Sequence, residues 1–167
     1  MVQRVLDKTA ALKAGQQAQA QGDFARARQL FESVRAADPN EAGAALCLSR
    51  LAFDEGDREG CLAHLDEALR LAPDKPALWM QAADRFQHFG LTDRAAQAYD
   101  KAIALQPKAI APRAEKARLQ QIPGKFDAAN TAFRKLIKAA PREAQLYRIA
   151  LATKKLARND PMIRDMK

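Results

Sequence analysis

Apolar positions in this chain fall on a helical period, and the pattern itself recurs. In QGDFARARQLFESVRAADPN, residues 21–40, Ala27 and Phe31 stand one turn apart on the same helical face. The same small-then-large pair returns as Cys61 and Leu65, Ala95 and Tyr99, and Ala129 and Phe133, each 34 residues after the last. Gly22, Gly56, Gly90 and Gly124 keep that interval, and so do Pro39, Pro73, Pro107 and Pro141. Four columns sharing one period without insertion mark a repeat array.

Each column has a mechanical reason. Glycine ends one helix, because a left-handed residue costs least without a Cβ. Asp23 and Asp57 follow as N-cap acceptors for the next helix, with Thr92 or Asp93 expected to serve in the third copy. The small residue lets two helices approach closely and the large one fills the space beside it. Proline stops the second helix. The pattern predicts helix–turn–helix repeats over 8–41, 42–75, 76–109 and 110–143, all within a single domain over 1–167. Pro123 should end the first helix of the fourth repeat early, and that helix should use Ile110, Ala114 and Ala117 as its apolar stripe or else be less buried. Leu146, Tyr147, Ala150 and Leu151 make a further stripe, predicting a capping helix over about 142–158 that closes the stack, with a tail over 159–167.

These residues resemble the tetratricopeptide repeat, whose pattern is W-x2-L-G-x2-Y, then A-x3-F, then P over 34 residues. Gly15, Ala27, Phe31 and Pro39 match in the first repeat, and Leu48, Cys61, Leu65 and Pro73 in the second. Trp79, Ala82, Ala83, Phe86, Ala95, Tyr99 and Pro107 match in the third, and Ala117, Ala129, Phe133 and Pro141 in the fourth. The fourth departs where Arg113, Lys116 and Gln120 replace the family's Trp, Leu and Tyr. The resemblance implies an all-α fold, a right-handed superhelical solenoid of such repeats with a C-terminal capping helix. It also implies a concave wall built from the first helices. Carrying the family's inward-facing positions over places Gln16, Arg50, Phe53, Asp54, Met80, Asp84, Gln87, His88, Arg118 and Gln121 in a groove, with Leu12, Gln19 and Leu46 beside them. Met80 and Phe53 would anchor apolar groups; Arg50 and Arg118 would grip a carboxylate. The implied role is non-catalytic: a scaffold holding a protein or peptide partner, with self-association possible. The lysine/asparagine clamp of chaperone-binding members has no match, since Leu12, Gln16, Cys47, Ala77 and Gln81 stand in its places.

Composition adjusts this picture at a few points. Apolar residues make up 48% of the 167 and aromatics only 6%, so alanine and leucine must do most of the packing, which suits closely spaced helices. No run is apolar enough to span a bilayer and the first residues carry no apolar signal segment, so a cytoplasmic protein with no membrane partner is expected. Two cysteines, Cys47 and Cys61, make no disulfide framework, and no ligand cluster suggests a metal or other cofactor. Cys61 reads as inert core; Cys47 is the better candidate thiol, though burial is expected there too. Trp79 reads as core packing and His64 as surface. His88 has no nucleophile to activate, and neighbouring carboxylates such as Asp54/Glu55 diverge around their helix, so an enzyme is not expected.

Charge is uneven. Residues 1–107 sum to −2 and residues 108–167 to +10. Solvated helix faces are the plain reading of the basic third; the alternative is nucleic acid or an acidic partner meeting that end, with nucleic acid disfavoured because stacking aromatics are scarce there. The tail, YRIALATKKLARNDPMIRDM over 147–166, resembles the segment that closes such arrays ahead of sulfotransferase-type domains. That resemblance offers an alternative: the interaction or oligomerisation module of a larger enzyme.

Overall fold

The computed structural model describes residues 7–119 and 126–152. Among them are nine helices and no strand: α1 Lys8–Ala20, α2 Phe24–Ala37, α3 Ala42–Asp54, α4 Arg58–Leu71, α5 Pro76–His88, α6 Thr92–Leu105, α7 Ala111–Leu119, α8 Phe126–Ala139 and α9 Ala144–Ala152. The two helices of each repeat pair as an antiparallel hairpin, α1 with α2, α3 with α4, α5 with α6 and α7 with α8. The chain divides into two compact units, Met1–Asp74 and Lys75–Lys167, each with its own core.

The turns inside the first three hairpins are copies of one another. Gly22, Gly56 and Gly90 take φ of +80°, +77° and +73°, a region that costs a side chain strain. The left-handed step lets the next amide turn back onto the helix it has left. Asp23 N donates to Ala18 O at 2.9 Å, Asp57 N to Ala52 O at 2.8 Å, and Leu91 N to Phe86 O at 2.8 Å. Asp23 and Asp57 then cap the second helices through bonds from Arg26 N and Gly60 N. The third copy differs from expectation. Leu91 occupies the N-cap without a side-chain bond, and Thr92 is already the first helical residue. Leucine has no acceptor to offer, and the helix starts one residue too early for Thr92 to cap it. Pro39, Pro73 and Pro107 each stand one residue past the C-cap of the helix they follow.

The N-terminal unit's main core joins Ala18, Ala27, Phe31, Cys47, Leu48 and Leu51 from α1, α2 and α3, with Leu12 packed partly against it. Small residues set the helix spacing. A Cβ added at Gly15 would lie 2.4 Å from Phe31 Cε1 and 2.8 Å from Cδ1, so the ring rests on the glycine backbone. In the C-terminal unit Ala95, Ala98, Tyr99 and Ala102 of α6 are fully or almost fully buried. A second cluster there holds Ala114, Ala117, Phe133, Leu136, Ile137, Leu146, Tyr147 and Ala150, with Ile110 partly buried against it. The fourth repeat therefore uses the Ile110, Ala114, Ala117 stripe, and α9 covers the face beyond it. Leu119 is the last described residue of α7, and Pro123 lies outside the described residues.

Replacing Gly15 separates two opposing effects. Alanine in mid-helix should gain about 1 kcal/mol over glycine, whereas overpacking a filled core costs about 1–3 kcal/mol. Phe31 is 0% exposed and has nowhere to go, so Gly15→Ala should lower stability in denaturant titration. Gln17→Ala, on the exposed face of α1, should not. A stabilised Gly15→Ala protein would mean the ring is free to shift.

Candidate functional site

The first helices of successive repeats, α1 then α3 and α5 then α7, carry the residues expected to face a partner. Their side chains are partly spent on each other. In the N-terminal unit Gln19 Nε2 donates to Asp54 Oδ2 at 2.5 Å, and Gln16 Nε2 to Cys47 Sγ at 3.4 Å, tying α1 to α3 twice. Gln19 is buried, and its Oε1 has no hydrogen-bond partner among the described residues. Arg50 stands one turn before Asp54, is exposed, and has no carboxylate partner among the described residues. Phe53 is half-buried between these polar groups in sequence. This face thus presents an open guanidinium, a carboxylate held by an amide, and an aromatic edge.

The C-terminal unit carries a denser cluster. Tyr99, whose ring fills the large apolar column of α6, donates from its hydroxyl to Asp84 Oδ1 on α5 at 3.1 Å, with Gln87 Oε1 at 3.4 Å. Gln87 Oε1 also accepts from Arg118 Nη2 at 3.1 Å, while Arg118 Nε donates to Glu115 Oε2 at 2.7 Å. The cluster links α5, α6 and α7. Arg118 is therefore engaged through Nε and Nη2, one edge of its guanidinium, whereas Arg50 has no carboxylate partner among the described residues. Met80 is half-buried; His88 is exposed with its ring edge-to-face against Phe89 at 5.4 Å. Gln121 lies outside the described residues. The structure brings Asp84, Gln87 and Arg118 together in one unit, and Gln19 and Asp54 in the other.

Sequence reasoning missed Tyr99's hydroxyl and Glu115. The signal for the first was present: Phe31, Leu65 and Phe133 fill that column in the other repeats, and a buried phenol requires a partner. Glu115 is three residues from Arg118, a spacing that brings side chains together on a helix.

Titration follows the surroundings. Burial, then the Asp84 carboxylate, pushes the Tyr99 phenol well above its ordinary value. Burial also raises the Cys47 thiol, partly offset by the Gln16 amide. Both cysteines are free and buried. His64 is half-buried, with Nδ1 3.7 Å from Glu67 Oε2. Among the described residues no group of three or more His, Cys, Asp or Glu could hold a metal, and no helix is long and apolar enough to cross a membrane.

Two measurements check this geometry. Native protein should leave both thiols unlabelled by a maleimide within minutes and label both after unfolding; prompt labelling of Cys47 would contradict its burial. Tyr99 should also give the fold an alkaline limit. Below pH about 10 the phenol is protonated in both states and its contribution is complete. Above that the unfolded chain ionises first, so stability falls as pH rises toward the folded value. Tyr99→Phe should cost about 1–3 kcal/mol at neutral pH, as for a bond to a charged acceptor, and should flatten the decline above pH 10. Parallel profiles for the two proteins would contradict it.

Comparison with known proteins fits this architecture. Residues 18–84 match the family described as tetratricopeptide repeat. No curated protein matches the chain. Among solved structures it is similar to MamA, at 21% identity over 87% of this chain and 80% of that one, TM-score 0.70. A tetratricopeptide repeat protein from Parabacteroides merdae superposes with TM-score 0.75 at 19% identity, covering 90% of this chain and 59% of that one. YrrB, described as a tetratricopeptide protein with an unusual peptide-binding site, shows TM-score 0.66 at 15% identity over 88% of this chain and 76% of that one. Residues 18–84 thus match the tetratricopeptide-repeat family, and the chain has the all-α fold of the solved tetratricopeptide-repeat structures it resembles.

Proposed function

We propose that the chain is a non-catalytic scaffold that holds a peptide or helix of a protein partner against its first helices. The observation that carries this reading is the state of the equivalent first-helix positions within each unit, Gln16 and Arg50 in one and Asp84 and Arg118 in the other. These residues are not solvated at random. Asp84 and Arg118 are tied to Tyr99, Gln87 and Glu115, which fixes their positions, while Arg50 remains exposed and open to a carboxylate. Fixed polar groups lose little entropy when a partner arrives, and an open guanidinium offers a bidentate fork. Phe53 and Met80 would supply apolar contact beside them, and His88 an exposed polar edge. Solved relatives of this fold include one described as having a peptide-binding site, which suits the same use here.

Selection of peptides from a displayed library, followed by calorimetry, tests this reading. Selected peptides should lose at least about tenfold in affinity with Arg50→Glu, while the helical circular dichroism stays unchanged. Substitution of Asp54 should weaken them less, because Gln19 already engages that carboxylate. Peptides indifferent to Arg50, Asp54 and Arg118 alike would place binding elsewhere and remove the reading.

A further inference from the structure

A cleft of about 400 Å³ opens between α6, α7 and α8. Ile103, Ala132, Leu136 and Ala139 make an apolar floor, and Arg113, Lys116 and Lys135 stand around it. Its cause lies in the repeat. Arg113 and Lys116 occupy the columns where the third repeat has Trp79 and Ala82, and the second Ala45 and Leu48. In the N-terminal unit those two positions are closed, Ala45 and Leu48 each being 1% exposed.

The outer side of the cleft differs in the same way. Two periods earlier, Ile103, Ala132 and Lys135 correspond to Arg35, His64 and Glu67. There the Glu67 carboxylate lies 3.8 Å from Arg35 Nη1 and 3.7 Å from His64 Nδ1, so a negative group spans the gap between α2 and α4. In the fourth repeat lysine replaces that glutamate, and among the described residues no ion pair joins α6 to α8 there. Of the three cations around the cleft, Lys116 pairs with Asp100. Arg113 Nη2 donates to the Pro107 carbonyl, and Lys135 has no carboxylate partner among the described residues.

We infer that this cleft is a docking site, separate from the first-helix face, for a segment of a partner protein that presents a large apolar side chain flanked by carboxylates. The apolar floor takes the side chain; Lys135 and Arg113, on different helices, take carboxylates spaced along a chain. A free fatty acid fits less well, since it offers one carboxylate to dispersed cations and a tail that an open cleft covers incompletely. Nucleic acid fits less well still, because an aliphatic floor provides no stacking surface for bases. Arg113 and Lys116 leave α7 on another side from Arg118, as Lys116 and Arg118 are two residues, about 200°, apart. The two surfaces are therefore separable by mutation.

The test uses the full 167-residue chain and a fluorescein-labelled probe, Gly-Glu-Glu-Phe-Leu-Glu-Glu-Gly, followed by fluorescence polarisation. Binding should saturate with Kd below about 1 mM. Probes with Gln for Glu, or Ala for Phe and Leu, should bind at least about tenfold more weakly. Lys135→Glu should weaken the parent probe at least about threefold, the scale of an exposed charge pair reversed. Lys135→Gln supplies a milder change should the reversal perturb folding. Arg26→Glu, a like reversal at an exposed arginine of α2 outside both surfaces, should leave the probe's affinity unchanged, which separates the cleft from a general attraction of the acidic probe to the protein. No saturation at 1 mM, indifference to both Lys135 variants, or equal loss with Arg26→Glu would each overturn it. So would stronger binding of a labelled duplex oligonucleotide that the peptide cannot displace.

Discussion

Close approach of two helices at a small residue, with a large apolar side chain filling the space that approach creates, is the contact on which the rest of the structure depends. Phe31 lies on the bare backbone of Gly15. Ala27, Cys61, Ala95 and Ala129 are all 0% exposed, and so are Phe31, Tyr99 and Phe133, with Leu65 at 1%. A hairpin of two helices hides only one side of such a pair. The other side needs the next repeat, and this explains why Leu48 and Leu51 of α3 share a cluster with Phe31 and why Leu146 and Tyr147 of α9 share one with Phe133. Stability in a stack of this kind comes from neighbours as much as from the repeat itself.

Polar side chains follow the same logic one layer out. Once the helices are spaced by their small residues, Gln19 reaches Asp54 and Gln87 reaches Arg118, across a distance that the core sets. Those bonds place charged groups in fixed positions without closing the surface over Arg50. The fourth repeat shows the converse. Where cations replace core residues at 113 and 116, the helices still pair through Ala114 and Ala117, but a cleft remains beside them.

Much of this was legible in the sequence, and the reasons are physical. A 34-residue period carried by glycine, small residue, large residue and proline leaves few arrangements open, because each column answers a local demand of backbone or packing. Asp23 and Asp57 could be read as caps from their place after glycine; Leu91 could not, since α6 starts without a side-chain acceptor at its N-cap. The ring of Tyr99 was legible as core, whereas its hydroxyl partner depends on where α5 lies beside α6. Arg113 and Lys116 were visible as departures, but a departure does not say whether the gap is filled or left open. Arg50 and Arg118 looked equivalent from their column and differ only because Glu115 and Gln87 happen to be in reach of one. The residues that carry the tail's resemblance to sulfotransferase-linked arrays lie largely outside the described residues.

Equilibrium denaturation of one helix pair against the whole chain asks whether burial between neighbours holds this protein together. A peptide covering 8–41 should show weak helical circular dichroism and no cooperative transition, while the full chain unfolds cooperatively under the same conditions. A sharp unfolding transition in that single pair, with helicity matching its share of the full chain, would contradict the account.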